Sequence, residues 1–263
     1  MVNLKKYNGF LKLFVIFLTL ILIISCGKQN YYVSKIEGKQ IQISESNTIK
    51  DANSNQIEAY IRPFREHINH DLDSILAYSP EIQDKRDGKW QTSIGNLMAD
   101  VSLKFGNIIF QTRKNKKIDL CILNNGGIRA ILPKGNVTSR TAFEIMPFEN
   151  SMVVIALKGD QILEMVTYFI ASKKPHPISG ITFTIGKDSI AKNILINNQA
   201  IEIEKIYYVG TNDYLANGGD NMIFFKKGIQ RFDLNYKLRN ILIDYFKEVD
   251  TIPVIKDVRV NVE

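Results

Sequence analysis

Apolar residues recur at helical spacing along several stretches of this 263-residue chain. The first stripe runs from Ile57 to Leu76. It predicts a long helix or a pair of helices over residues 53–77, with a kink at Pro63 and an end at Pro80.

A second helix is predicted after Thr92 or Ser93, because either hydroxyl can cap its first turn. Its apolar face consists of Ile94, Leu97, Met98, Val101 and Phe105. The same spacing predicts further helices over residues 138–145, 159–171 and 234–246.

Short apolar runs without a helical period separate these helices and predict buried strands. They cover residues 118–123, 152–157, 181–185, 194–196 and 205–210. A weaker alternation from Tyr31 to Ser44, around Glu37 and Gly38, predicts a small hairpin. Because helices and strands interleave irregularly, we expect an α+β fold with a mixed sheet, in one layered domain over residues 53–263.

The start of the chain has a different pattern. Three lysines precede an apolar run, Leu13–Ile24, and no acidic residue occurs before Cys26. The run is shorter than the roughly 20 residues that span a bilayer, and it fits the apolar region of a signal peptide. Residues Ile23–Gly27 resemble a bacterial lipobox, which implies cleavage before Cys26 and a diacylglycerol on its thiol. A plain N-terminal membrane anchor is the alternative.

Either alternative puts the rest of the chain outside the cytoplasm. We therefore expect a lipoprotein signal peptide over residues 1–25, a polar tether over residues 26–52, and a location in the bacterial cell envelope, held to the membrane by lipid. With Cys26 lipidated, Cys121 has no disulfide partner. Because Cys121 lies in an apolar strand-like run, it is interpreted as a small core residue.

Composition and charge limit the classes of ligand. The chain is 45% hydrophobic and 23% charged, which is ordinary for a globular protein. The net charge of +7 includes the three leader lysines, so the remainder is only mildly basic. A mildly positive net charge suits an anionic small-molecule ligand. A basic stripe with interleaved aromatic residues is not found in the sequence, so nucleic acid is not an expected partner.

Two polar segments next to predicted strands carry candidate binding groups. In Asn124–Arg129, two glycines allow a sharp turn, and Arg129 offers a planar fork of donors suited to phosphate or carboxylate. In Met146–Asn150, Pro147 fixes the backbone ahead of Phe148, whose ring could stack on a flat ligand. An ordinary turn with a surface arginine, and a phenylalanine that covers the edge of a core, are the alternatives.

A third segment, Thr211–Asp220, follows the strand predicted over residues 205–210. It supplies a second ring at Tyr214 and a carboxylate at Asp220. A carboxylate there can accept two hydrogen bonds from a vicinal diol. A plain turn built on the Asn-Gly-Gly-Asp sequence is the alternative.

Taken together and in this order, the three segments resemble the C-terminal domain of 5'-nucleotidases and UDP-sugar hydrolases, as does the helix start Ile94–Asp100. The resemblance covers roughly residues 53–263. It implies that Phe148 and Tyr214 sandwich a nucleobase and that Asp220 binds the ribose hydroxyls. Base–aromatic stacking contributes about 1–3 kcal/mol per base.

The resemblance also implies that Arg129 reaches toward the phosphate, with Asn124 beside it. Asn125 departs from the family, which usually has a third glycine there, and this puts the shape of the turn in question. Basic residues ahead of the Gly-Asn-Leu helix are a family feature, for which Arg86 and Lys89 are the candidates.

The metal-binding half of such enzymes has no counterpart in this sequence. Full-length family members carry an N-terminal metallophosphoesterase domain, in which two metals activate water and hold the phosphoryl group. The histidines here are His67, His70 and His176, and no Asp-x-His, Gly-Asn-His-Asp or Gly-His-x-His motif occurs. We therefore expect no catalytic residue, metal or cofactor on this chain, and a divalent metal pair on a separate partner.

Three functions remain open at this point. The chain could supply nucleotide recognition to a separately encoded metallophosphoesterase, and so complete a 5'-nucleotidase-type hydrolase. It could instead be a non-catalytic nucleoside- or nucleotide-binding lipoprotein. It could also be an interaction module that has kept only a relic of the pocket.

Overall fold

The computed structural model describes residues 7–24, 32–40 and 52–263. Cys26, the predicted lipidation site, lies outside these residues. The chain divides into two compact units, residues 1–56 and residues 57–263. In the first unit, Tyr7–Ile24 forms an 18-residue helix that includes the apolar run of the leader. Within the described ranges, we find no helix with the length and apolar character needed to cross a membrane.

Helices and strands interleave irregularly along residues 52–263, as the sequence predicts. The helices are Tyr7–Ile24 (α1), Ala52–Asp73 (α2), Ser93–Lys114 (α3), Ser139–Ile145 (α4), Gly159–Ser172 (α5), Asp213–Ala216 (α6) and Leu238–Glu248 (α7). The strands are Ile75–Ser79 (β1), Leu120–Ile122 (β2), Gly135–Thr138 (β3), Ser151–Lys158 (β4), Ile178–Ser179 (β5), Ile181–Ile185 (β6), Ala191–Ile196 (β7), Gln199–Ala200 (β8), Ile206–Asn212 (β9), Gln230–Lys237 (β10) and Val260–Val262 (β11).

A mixed sheet of five strands, in the order β10-β4-β9-β2-β5, forms the centre of the described domain. β4 runs antiparallel to both β10 and β9, and β2 runs parallel to β9. A smaller sheet follows the order β11-β6-β7-β8, and β1 pairs with β3. The expected α+β fold with a mixed sheet is confirmed.

Both faces of the central sheet are buried, and β4 shows why its sequence is continuously apolar. Met152 and Val154 face a core that includes α3 and α7, whereas Val153, Ile155 and Leu157 face a second core. The second core includes α5 and part of the smaller sheet. Successive side chains of a strand point to opposite faces, so a strand covered on both sides needs apolar residues at every position. Cys121 lies in this buried sheet, and burial raises the pKa of its thiol.

Two of the predicted helices end or begin differently in the structure. The helix predicted over residues 53–77 ends at Asp73, and Ile75–Ser79 is a strand instead. The helix predicted over residues 234–246 begins at Leu238, because residues up to Lys237 belong to β10. Residues 32–40 form no strand, so the predicted hairpin is wrong for that described part.

The apolar stripe of the first helix does not face a core. Ile57, Tyr60, Phe64 and Ile68 are all more than half exposed on α2. At the C-terminal end of this helix, Arg140 donates to Asp73 at 2.5 Å and to Asn69 at 2.9 Å. By contrast, Thr92 does cap α3, since its hydroxyl accepts a hydrogen bond from the Gly95 N–H.

Candidate functional site

Three loops meet at one edge of the central sheet, and the strand directions explain why. β2 and β9 are parallel neighbours, so the segments that follow them leave the sheet on the same side. β4 is antiparallel to β9, with Met152 opposite Asn212, so the segment that precedes β4 arrives at that same edge. These are the three segments singled out in the sequence.

The loops enclose a cavity of about 360 Å³. This volume lies within the roughly 300–1,000 Å³ typical of small-molecule sites. The cavity is lined by Asn124, Gly126, Arg129, Phe148, Asn150, Tyr214 and Asp220. All five residues predicted from the sequence to bind substrate therefore lie around one cavity, and their roles in binding remain predictions.

The two aromatic rings of the cavity are accessible. Phe148 is 41% exposed and Tyr214 is 45% exposed. Within the described residues, neither ring pairs with another aromatic side chain. The Arg129 guanidinium lies 5.7 Å from the centre of the Phe148 ring. Part of the ring surface is therefore available to a flat ligand, and a cation lies over the Phe148 ring.

Buried and exposed cations fix the loop that carries Phe148. Glu149 pairs with both Lys237 and Arg239, and these ion pairs lower the pKa of Glu149 to about 2. Arg239 is buried, and it also donates to the Pro147 carbonyl at 3.3 Å. The Leu238 N–H donates to the Asn150 carbonyl at 3.0 Å. The start of α7 thus anchors residues on both sides of Phe148.

Two asparagines join the other two loops. The Asn124 Oδ1 atom accepts a hydrogen bond from the Asn212 Nδ2 atom at 3.1 Å. Asn212 in turn caps α6, because its Oδ1 accepts from the Leu215 N–H at 2.8 Å. Both amides are buried. Within the described residues no group accepts from Asn124 Nδ2, so this donor of a cavity-lining side chain is free for a ligand.

Asn125, which replaces the family's usual glycine, fits the turn without strain. The backbone of Asn125 does not adopt a positive φ, so glycine is not required there. Its N–H donates to His176 Nδ1 and its side-chain amide donates to the Pro175 carbonyl, both at 3.3 Å. Gly127 has less room for a side chain, since a Cβ there would lie 3.1 Å from Asn124 Oδ1.

Asp220 has a constrained backbone beside Tyr214. Its φ of 52° is in the left-handed region, which few residues other than glycine adopt. The Tyr214 hydroxyl donates to Asp220 Oδ1 at 2.9 Å, and the Asp220 N–H donates to the same hydroxyl at 3.1 Å. From α5, the Tyr168 hydroxyl donates to the Asp220 carbonyl at 2.6 Å. One hydrogen bond to the carboxylate and two to the backbone therefore hold Asp220 at the cavity wall.

The basic residue beside Arg129 is Lys85. Its ammonium group donates to the Ile128 carbonyl at 2.6 Å. Burial, and then the nearby positive charge of Arg129, lower the pKa of Lys85. The two candidates named from the sequence do not line the cavity: Arg86 pairs with Asp84, and Lys89 lies 5.6 Å from the Trp90 ring. Lys85 differs from the predicted Arg86 by one position in the same basic segment.

His176 is a buried neighbour of the cavity that the sequence did not reveal. It is only 2% exposed, and burial lowers its pKa to about 4. Since Nδ1 accepts from Asn125, the neutral ring carries its proton on Nε2. No described residue accepts from that atom. Within the described residues, we find no cluster of three or more His, Cys, Asp or Glu that could hold a metal ion.

Comparison with known proteins identifies relatives of this domain. Residues 75–227 match the family described as "5'-nucleotidase, C-terminal domain". The chain is 25% identical over 170 residues to a 5'-nucleotidase of Vibrio parahaemolyticus, covering 61% of this chain and 28% of that protein. It is 34% identical over 131 residues to the NAD 5'-nucleotidase of Haemophilus influenzae, covering 43% and 22%.

A solved structure shares the fold. The 5'-nucleotidase precursor of Thermus thermophilus superimposes with a TM-score of 0.65 at 23% sequence identity. The superposition covers 80% of this chain and 42% of that one. This chain thus spans less than half the length of each of these three proteins.

Proposed function

The chain belongs to the 5'-nucleotidase C-terminal domain family, and from this premise we propose that it is the nucleotide-recognition half of a 5'-nucleotidase-type phosphohydrolase. The base and ribose bind in the cavity, and a separate metallophosphoesterase chain supplies the two-metal site that performs hydrolysis. The observation that carries the proposal is the meeting of two accessible rings, a carboxylate and an arginine around one cavity.

The chemistry of the cavity matches the parts of a nucleotide. A nucleobase is flat and stacks on the faces of Phe148 and Tyr214, with about 1–3 kcal/mol per base from each such contact. Asp220 accepts hydrogen bonds from the ribose hydroxyls, and Asn124 offers a free amide donor. Arg129, with Lys85 behind it, attracts the phosphate. The ligand thus lies with its phosphate toward the basic end.

The proposed partner chain accounts for the metal chemistry that hydrolysis requires. Hydrolysis of a phosphate monoester in this family uses a pair of divalent metals, which polarise the phosphoryl group and generate the attacking hydroxide. His67 and His70 are exposed on α2, and His176 is buried with Nδ1 already accepting a hydrogen bond. We therefore assign the metals and all catalytic groups to the partner.

The proposal also places the protein in the cell. Lipidation at Cys26 would hold the chain at the bacterial cell envelope, outside the cytoplasm, where extracellular or periplasmic nucleotides are met. The apolar leader helix and the lipobox-like residues around Cys26 support this assignment.

Two measurements on the full chain in detergent test the proposal. Calorimetric titration with adenosine, uridine and AMP measures binding by this chain alone. Phosphate release from AMP and UDP-glucose with Mn²⁺ is then measured for this chain, for a candidate metallophosphoesterase, and for both together. We expect binding without turnover by the chain alone, and turnover that increases when both chains are present.

Variants that remove one aromatic ring test the stacking contacts, and a ring outside the cavity provides the matched control. Phe148→Ala and Tyr214→Ala should each weaken nucleoside binding by roughly 5- to 150-fold, the effect of losing one stacked base. Tyr78→Ala removes a ring of similar exposure, 42%, that does not line the cavity, and it should leave affinity unchanged. Binding without any turnover in the presence of partners would favour the non-catalytic nucleoside-binding alternative. Phosphate release by this chain alone would refute the proposal that recognition and hydrolysis are divided between two chains.

A further inference from the structure

Tyr214 and Asp220 hydrogen-bond to each other twice. The phenolic hydroxyl donates to Asp220 Oδ1 at 2.9 Å and accepts from the Asp220 N–H at 3.1 Å. A phenolic oxygen has one proton and two lone pairs. Its proton and one lone pair are therefore both directed to the same residue, six positions further along the chain. The Tyr214 ring that lines the cavity and the carboxylate beside it form one closed unit.

The segment between them makes this unit rigid. Asp220 has a φ of 52°, and Gly218 has a φ of 86°, so the chain turns sharply to bring residue 220 back to the ring. A Cβ at Gly219 would lie 2.5 Å from the Tyr214 ring, so only glycine allows so close an approach. The Tyr168 hydroxyl fixes the Asp220 carbonyl from α5.

The location of the hydrogen bond determines which part of the ring remains available. The phenolic oxygen lies in the plane of the ring, so a carboxylate bonded to it lies beyond the ring edge and not over a face. Part of the ring surface stays accessible, since Tyr214 is 45% exposed. An ionised carboxylate has about four acceptor sites. After the bond to Tyr214, enough acceptor sites remain for two hydroxyl groups of a ligand.

We propose that the Tyr214 hydroxyl is a positioning group that sets selectivity for ligands in which a flat base is joined directly to a sugar with a free 2',3'-cis-diol. This inference rests on the proposed function and deepens it by naming ribonucleosides and ribonucleotides over their deoxy counterparts. The hydroxyl holds the half-buried carboxylate in the orientation where it accepts from both sugar hydroxyls. Without the hydroxyl, the carboxylate rotates toward solvent and the discrimination decreases.

Tyr214→Phe tests the inference, because it removes the hydroxyl and keeps the ring. Affinities of the full chain in detergent are measured for adenosine and 2'-deoxyadenosine by calorimetric titration. Wild type should prefer adenosine. In Tyr214→Phe, affinity for adenosine should fall by roughly 3- to 10-fold, the effect of weakening one hydrogen-bonded contact, while affinity for 2'-deoxyadenosine stays within about twofold.

Two further variants separate the possible outcomes. Tyr236→Phe removes another tyrosine hydroxyl that bonds to a carboxylate, that of Asp244, outside the cavity, and it should leave the adenosine-to-deoxyadenosine ratio unchanged. Asp220→Asn should lower that ratio at least as much as Tyr214→Phe. An unchanged ratio in Tyr214→Phe, or an equal loss for both nucleosides, overturns this inference alone. Failure of wild type to bind either nucleoside overturns the proposed function.

Discussion

At the scale of single residues, Asn125 shows how a departure from a family pattern can be accommodated. Its side chain and N–H hold the turn against Pro175 and His176. We predict that Asn125→Gly lowers the free energy of unfolding by about 1 kcal/mol, because a hydrogen bond is lost and the unfolded chain gains freedom. Urea denaturation followed by circular dichroism measures this change.

The matched control is an asparagine whose backbone does favour glycine. Asn198 has a φ of 64° in the turn between β7 and β8, and Asn198→Gly should be neutral or slightly stabilising. Equal destabilisation by both substitutions would show that the Asn125 hydrogen bonds contribute nothing.

The cavity residues that could be predicted from the sequence share one property. Phe148, Tyr214 and Asp220 belong to short motifs whose residue types are unusual at those spacings, so their chemistry is visible in the sequence. Lys85 and Tyr168 could not be predicted in this way, because their relation to the cavity depends on contacts between residues that are 43 and 52 positions apart in the sequence. A lysine in a basic segment usually faces solvent, and a tyrosine in an amphipathic helix usually packs against a core. Only the tertiary contacts of this fold place these two beside the cavity.

At the scale of elements, the loop that carries Phe148 depends on ion pairs at the start of α7. Lys237 and Arg239 lower the pKa of Glu149 from 4.5 to about 2. A carboxyl whose folded-state pKa is depressed contributes stability above its ordinary pKa, and this contribution is lost as pH falls through the folded-state value. We predict that wild type is more stable than Glu149→Gln above about pH 4.5, and that the difference disappears toward pH 2.

Chemical denaturation of both proteins between pH 7 and pH 2 checks this prediction. Glu164→Gln serves as the control, because Glu164 pairs with Lys227 and does not line the cavity. The prediction also requires that Glu149→Gln weakens adenosine binding at neutral pH, since Phe148 lies next to Glu149, whereas Glu164→Gln does not. A stability difference that grows on acidification would contradict it.

Helix and strand limits were predictable where one periodicity dominated. Ile181–Ile185 and the helix over residues 159–171 were identified almost to the residue. Leu234 is ambiguous because it satisfies two patterns: it alternates with Phe232 in β10, and it lies four residues before Leu238 in a helical stripe. Pairing of β10 with β4 decides in favour of the strand. Likewise Ile75 extends a helical stripe but pairs with Thr138 in β3.

At the scale of the whole domain, Arg259 joins elements that are distant in the sequence. Its guanidinium is buried and donates to Asp100 on α3 at 2.6 Å and to Asp257 at 2.9 Å. It also donates to the Ile178 carbonyl of β5, and the chain continues directly into β11. The last residues of the chain are thereby fixed against both α3 and the central sheet.

Replacing Arg259 with an uncharged residue should lower the free energy of unfolding. Arg259→Met removes a buried cation and leaves the partly exposed Asp100 carboxylate with only its hydrogen bond from Ser179, so it should cost more than the loss of a surface ion pair. Arg231→Met is the control, because its ion pair with Asp233 is solvent-exposed and should contribute about 0–1 kcal/mol. Urea denaturation of both variants makes the comparison. Similar costs for the two would mean that the Arg259 pair is as weak as a surface pair.

For the chain as a whole, the proposed lipid on Cys26 and a plain N-terminal anchor make opposite predictions. If Cys26 carries diacylglycerol, Cys26→Ser should abolish lipid labelling and leave the apolar leader uncleaved, so the chain migrates more slowly in gel electrophoresis. If the leader is itself the anchor, Cys26→Ser should change neither property. Cys121→Ser is the control, since a buried thiol in the central sheet is inaccessible to lipidation. Metabolic labelling with radioactive palmitate and membrane fractionation distinguish the two. Labelling that survives Cys26→Ser would refute the lipoprotein assignment, while leaving the cavity and its proposed ligand untouched.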